Sequence, residues 1–159
     1  MADKLVPSRN DTGVIERYRD MGDGSFARVT SAAAGSAGAA GYPAGAVPVA
    51  ATANGANSSA VATLPAAAGK TTYISGLQVT GAGATGGSLG GVTLSGILGG
   101  GFPLFFTVPA GTTISISPLA VTFNPPLPAT GANVAIAATL NAFGAGNPTA
   151  QVSVQGFQL

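Results

Sequence analysis

Apolar and polar residues alternate one by one through much of the second half of this chain. Val152 and Val154 stand on one phase, with Gln151, Ser153 and Gln155 on the other. Val134, Ile136, Ala138 and Leu140 alternate with Ala135, Ala137 and Thr139, and Ile114 and Ile116 alternate with Thr113 and Ser115. A period of two marks a strand with one buried face. The pattern predicts strands over Ala60–Leu64, Thr71–Thr80, Gly91–Leu98, Phe102–Val108, Thr112–Ile116, Ala120–Phe123, Asn133–Leu140 and Ala150–Phe157. Gly and Pro punctuate these runs so densely that no helical period with caps survives. Phe102, Leu104, Phe106 and Val108 form the strongest core face, which leaves Phe105 on the opposite phase as a candidate subunit contact. Pro103 cannot donate to a ladder on its side and predicts an edge strand. At Gly96 the Val92, Leu94 alternation slips to Ile97, which predicts a bulge. Eight short strands with such turns predict an all-β fold, an antiparallel β-sandwich of jelly-roll-like type, over residues 58–159.

The pattern weakens upstream. Residues 31–57 are Ala, Gly and Ser with Pro43 and Pro48, too little side-chain area to offset the entropy of ordering, and they predict a linker. About 25 such residues, fully extended, would reach on the order of 80 Å. Residues 1–30 predict an extended N-terminal arm, with a hairpin from Val14–Asp20 and Ser25–Thr30 turning at Met21-Gly22-Asp23-Gly24. A lone hairpin is marginal in water, so the arm is expected to order on what it docks against. Arg17, Tyr18, Arg19, Phe26 and Arg28 are the candidate docking residues, because aromatic and bidentate groups are enriched at interfaces.

Charge sharpens this partition. The chain has 159 residues, six Lys or Arg and five Asp or Glu; all but Lys70 fall between Asp3 and Arg28. Acid–base and phosphoryl-transfer sites need a carboxylate, imidazole, thiolate or ammonium in a pocket. Beyond Arg28 only Lys70 supplies one, and the chain has no Cys and no His. An enzyme is therefore not expected, nor is a cofactor or a metal site. A net charge of +1 gives no basic field for nucleic acid, so DNA and RNA are not expected partners. The uncharged stretches 31–51 and 88–110 are too broken by Gly and Pro to predict a membrane-spanning helix. The opening MADKLVPSRN carries charges and a proline where a secretory signal needs an apolar run. A body with one charge lacks the mixed-sign surface of a freely diffusing domain and is suited to packing against copies of itself.

Several motifs imitate chemistry. Gly81-Ala82-Gly83-Ala84-Thr85-Gly86 has the dinucleotide spacing, but it runs on into Gly87-Ser88-Leu89-Gly90-Gly91 rather than into a helix, and no acid occurs after Asp23. Pro65-Ala66-Ala67-Ala68-Gly69-Lys70-Thr71 resembles the end of a phosphate loop; Leu64 stands where its first glycine belongs, and no carboxylate remains to hold magnesium. Both predict turns. Asp20-Met21-Gly22-Asp23-Gly24-Ser25 lacks the spacing and closing Glu of a calcium loop.

Four phrases of the body, Ala68-Gly69-Lys70-Thr71-Thr72-Tyr73-Ile74-Ser75-Gly76, Phe106-Thr107-Val108-Pro109-Ala110-Gly111-Thr112-Thr113, Phe123-Asn124-Pro125-Pro126-Leu127-Pro128-Ala129 and Ala142-Phe143-Gly144-Ala145-Gly146-Asn147, close on Gly156-Phe157. Together they resemble small virion structural proteins of tailed bacteriophages, and Arg19-Asp20-Met21-Gly22-Asp23-Gly24-Ser25-Phe26-Ala27 resembles the opening of phage structural proteins. The resemblance covers residues 60–159 and, loosely, the arm. It implies a β-sandwich that oligomerises on the virion as a head decoration protein or the base of a head fibre, and it carries over no catalytic residue. The expected partners are the major capsid protein or a neighbouring virion protein and further copies of the chain, as a trimer or pentamer, in a virion assembled in the host cytoplasm. The alternative is a receptor- or glycan-binding β-module of a tail fibre or cell surface.

Overall fold

The computed structural model describes residues 41–159 throughout and, ahead of them, the backbone of four short strands. These are β1 (Ser8–Arg9), β2 (Ile15–Glu16), β3 (Tyr18–Asp20) and β4 (Phe26–Arg28); β1 pairs with β2 and β3 with β4, both antiparallel. Residues 1–37 and 38–159 are separate compact units.

The second unit has eight strands: β5 (Val47–Gly55), β6 (Ala60–Leu64), β7 (Thr71–Gly81), β8 (Ser88–Ser95), β9 (Phe102–Val108), β10 (Leu119–Ala132), β11 (Ile136–Leu140) and β12 (Ala150–Gln158). They form two antiparallel four-stranded sheets, ordered β10-β7-β12-β5 and β6-β11-β8-β9. The pairs β5·β12, β6·β11, β7·β10 and β8·β9 are all antiparallel neighbours. One long hairpin, folded at the β8–β9 turn and rolled up, produces that pairing, and this is the jelly-roll topology expected from the sequence. The registers place the connections 65–70, 96–101 and 133–135 at the end where β5 begins. Connections 56–59, 82–87, 109–118 and 141–149 gather at the far end.

The inner faces meet in one core. Ile74, Leu77, Val79, Val152 and Val154 of the first sheet pack with Ala62, Leu64, Val92, Leu94, Ile136, Ala138 and Leu140 of the second. Phe143, from the β11–β12 connection, closes the far end and meets Phe106 edge-on at 5.6 Å. Alternation along β6 and β11 is strict, buried residues on one phase and more accessible ones on the other. Every buried polar side-chain atom among the described residues has a partner. Thr72 Oγ1 and Gln158 Nε2 both donate to the Pro65 carbonyl, at 3.0 and 2.6 Å.

The structure corrects the strand predictions at six places. The strand predicted over Ala120–Phe123 is only the start of β10, which continues through Pro125, Pro126 and Pro128 to Ala132. Residues 47–55, read as linker, are β5, paired with β12 along nine unbroken positions. The sandwich supplies a hydrogen-bonding partner that composition cannot reveal. Thr112–Ile116 is not a strand: Ile114 N–H donates to the Gly111 carbonyl in a turn, so Ile116 is buried while Ile114 is 50% exposed. β11 begins at Ile136 rather than Asn133, because Asn133 takes a positive φ of 62° in the preceding turn. β8 starts three residues earlier than predicted, at Ser88, and ends before Gly96. Gly96 marks a strand end rather than a bulge, with φ at 79° and the Ala135 carbonyl where a Cβ would sit. A bulge lies instead in β7, where Ser75 is left over between the Gln155–Gly76 and Gly156–Ile74 pairs, and two further register shifts interrupt the β10–β7 ladder. Pro103 does stand on an edge strand, β9.

Candidate functional site

Phe105 leaves the core phase of β9 and is 66% exposed on the outer face of the second sheet. It pairs with Gly91 of β8, and its ring lies against that glycine, where a Cβ would come within 3.3 Å of two ring carbons and of Asn141 Nδ2. The absent side chain at 91 therefore leaves room for both the Phe105 ring and the Asn141 amide beside the strand. Asn141 N–H in turn donates to the Gly91 carbonyl at 2.9 Å. The neighbouring row on one side is Val61, Thr139, Thr93 and Pro103; on the other, Leu89 faces Thr107. Leu89 is 69% and Val61 51% exposed. The whole face carries hydroxyls and apolar groups and no charge.

Val61 stands on the outward phase of β6. Leu89 was missed because it sits in Gly86-Gly87-Ser88-Leu89-Gly90-Gly91, which reads as turn until β9 supplies a partner for it. The outer face of the first sheet is also neutral. Thr52, Gln78, Thr122, Ser153 and Gln155 line a shallow hollow of about 330 Å³ there. A second apolar hollow, about 220 Å³, opens at the β5-start end between Leu98, Phe102, Phe123 and Leu127. Phe102, predicted for the core, is 41% exposed in it, as the first residue of an edge strand, with its ring edge-on to Phe123 at 6.2 Å.

A third aromatic group has no counterpart in the predictions. Phe157 points away from the core phase of β12 yet is only 5% exposed. Tyr73, its ladder partner, stacks on it at 4.9 Å, and Tyr42 covers it from the segment ahead of β5 at 5.5 Å. The out-of-phase aromatics at 73 and 157 were the available signal. The β7 bulge and the position of Tyr42 were not visible.

Of the predicted docking residues, Arg17 lies outside the described residues. Tyr18 stands opposite Arg28 in the β3–β4 ladder, Arg19 opposite Ala27, and Phe26 opposite Asp20. The proposed reversal at 21–24 also lies outside the described residues. Lys70 sits in a tight turn, its N–H donating to the Ala67 carbonyl at 3.1 Å, and the glycine-rich 81–86 stretch leads into strand β8 rather than into a helix. No group of three or more His, Cys, Asp or Glu that could hold a metal ion occurs among the described residues. No helix among them is long and apolar enough to cross a membrane. No protein-family model matches the chain, and no curated protein matches it.

Proposed function

We propose that the chain is a structural protein of a bacteriophage virion, an oligomeric capsid decoration or head-fibre-base protein that docks on the shell through its N-terminal arm. The observation that carries this reading is the charge partition. Ten charged residues are confined to the first 28 positions, and the sandwich behind them presents two neutral outer faces, one bearing Phe105, Leu89 and Val61 in the open. Burying such faces against copies of the chain costs no charge desolvation, and several weakly held arms acting together gain avidity from effective concentration. The jelly roll also serves viral capsid domains, which supports the reading by analogy of fold alone. The major capsid protein or a neighbouring virion protein is the proposed docking partner. Particles assembled with a protein lacking residues 1–30 test this: incorporation should be lost, and undiminished incorporation overturns the arm's role.

One observation favours a second reading, a glycan-binding module. Phe105 offers an accessible ring, the Asn141 amide flanks the same glycine, Gly91, and the jelly roll also serves lectins. Saturable binding of residues 41–159 to a glycan array, abolished by Phe105→Ser, would favour it over assembly.

A further inference from the structure

Four strand edges close the two sheets. β6 is short, with five residues. β10 carries Pro125, Pro126 and Pro128 and two register shifts. Both are devices by which sheets blunt their edges. β9 and β5 each carry one proline, at the second position, Pro103 and Pro48. The β5 edge is the longer of the two, nine residues against seven, with no charge and no irregularity in its pairing.

The ladder determines which groups β5 presents. Leu159 and Thr71 exchange both backbone hydrogen bonds, at 2.8 and 3.0 Å, so the odd-numbered residues of the last strand bond toward β7 and the even-numbered ones toward β5. The register then assigns Val47, Val49, Ala51, Ala53 and Gly55 to the β12 ladder. Pro48, Ala50, Thr52 and Asn54 point their backbone groups outward. Two facts agree: Pro48 has no N–H to waste on the ladder, and the Thr52 and Ser153 hydroxyls approach to 3.0 Å, as expected of the closer, non-hydrogen-bonded pairs. Among the described residues no segment pairs with this outer side. Val49, Ala51 and Ala53, which face the core, are only half-buried, whereas their counterparts Val152 and Val154 of β12 are buried. Among the described residues the flank has neither cover nor hydrogen bonds.

We propose that this edge takes the β5 edge of a second copy of the chain, antiparallel, across a two-fold axis, so that two four-stranded sheets continue as one of eight. An antiparallel edge is its own complement: the N–H groups of Ala50, Thr52 and Asn54 in each copy meet carbonyls of the other. Small side chains at Ala50, Ala51 and Ala53 permit close approach, and no like charges oppose it. Such pairing is independent of the virion reading, and it gives a two-fold pair rather than a ring of three or five.

Light scattering coupled to size exclusion tests it on the full chain. The expected mass is twice that of the chain. Ala50→Pro removes one outward donor per copy without touching the β12 ladder and should weaken the dimer on the order of tenfold or more while the far-ultraviolet spectrum is unchanged. A monomeric wild type, a trimer or pentamer, or a dimer indifferent to Ala50→Pro overturns the proposal. Should that variant fail to fold, backbone hydrogen exchange on the wild type decides. Protection at Ala50, Thr52 and Asn54 that disappears on dilution supports the pairing. Rapid exchange at high concentration, or protection independent of concentration, overturns it; the latter would mean that the chain covers its own edge.

Discussion

Asn147 shows what a single side chain does for the far end of the sandwich. It is buried, its Nδ2 donates to the Ala82 and Thr149 carbonyls at 2.7 and 3.0 Å, and its Oδ1 accepts the Asn57 N–H at 3.2 Å. Three connections are thereby tied through one amide. Asn147→Ala leaves those backbone groups short of partners and should cost about 1–3 kcal/mol, read from urea denaturation of residues 41–159. Asn147→Asp keeps the acceptor but loses both donated bonds and buries a charge, so it should cost more than the alanine. Gly156 has no room for a side chain. A Cβ there would fall on the Tyr73 carbonyl, which the Ser75 bulge brings across the strand. Gly156→Ala should therefore open the β7–β12 pairing around Tyr73 and Phe157, detected as a loss of near-ultraviolet dichroism from the stacked rings. A variant with native dichroism and stability would show that the backbone moves aside freely.

At the scale of elements, the boundary of the folded body is the point most open to test. With β5 counted in, and with Tyr42 seated on Phe157, the body begins near residue 41 rather than 58. A fragment of residues 41–159 should fold cooperatively. A fragment of residues 58–159 should not, because removing β5 bares the β12 ladder and uncovers Val152 and Val154; far-ultraviolet dichroism and solubility distinguish them. β6 and β9 were legible to the residue, and β7 and β12 to within one residue, because their inward and outward phases differ in side chain as well as in position. β5 was not, since Ala50, Ala51 and Ala53 alternate in environment but not in chemistry. β10 was seen only over Ala120–Phe123, because Pro125, Pro126 and Pro128 read as breakers, although an edge strand tolerates them. The exposed apolar face of the second sheet was half legible: Phe105 stood out as an aromatic on the wrong phase, while Leu89 needed the second strand beside it to acquire a face at all.

For the whole molecule, the rolled-hairpin pairing has a consequence in time. Only β8 and β9 join strands that are also neighbours in sequence across a short turn; every other ladder in the sandwich closes a longer loop, and β5·β12 joins residue 47 to residue 158. Loop-closure entropy must be met before such contacts return anything, so chains of this topology fold in milliseconds to seconds rather than microseconds. The β8–β9 hairpin is the natural starting point and β5·β12 the natural last step. Stopped-flow refolding of residues 41–159 should show that Val92→Ala slows folding, whereas Ala53→Gly, on the last strand to dock, mainly speeds unfolding. The reverse pattern would place the nucleus at the termini. The strand that docks last is also the one with the longest regular open edge, so newly made chains pass through a stage in which β12 and β5 both seek partners. At high concentration during synthesis, exchange of β5 between copies competes there with closure of each copy on itself.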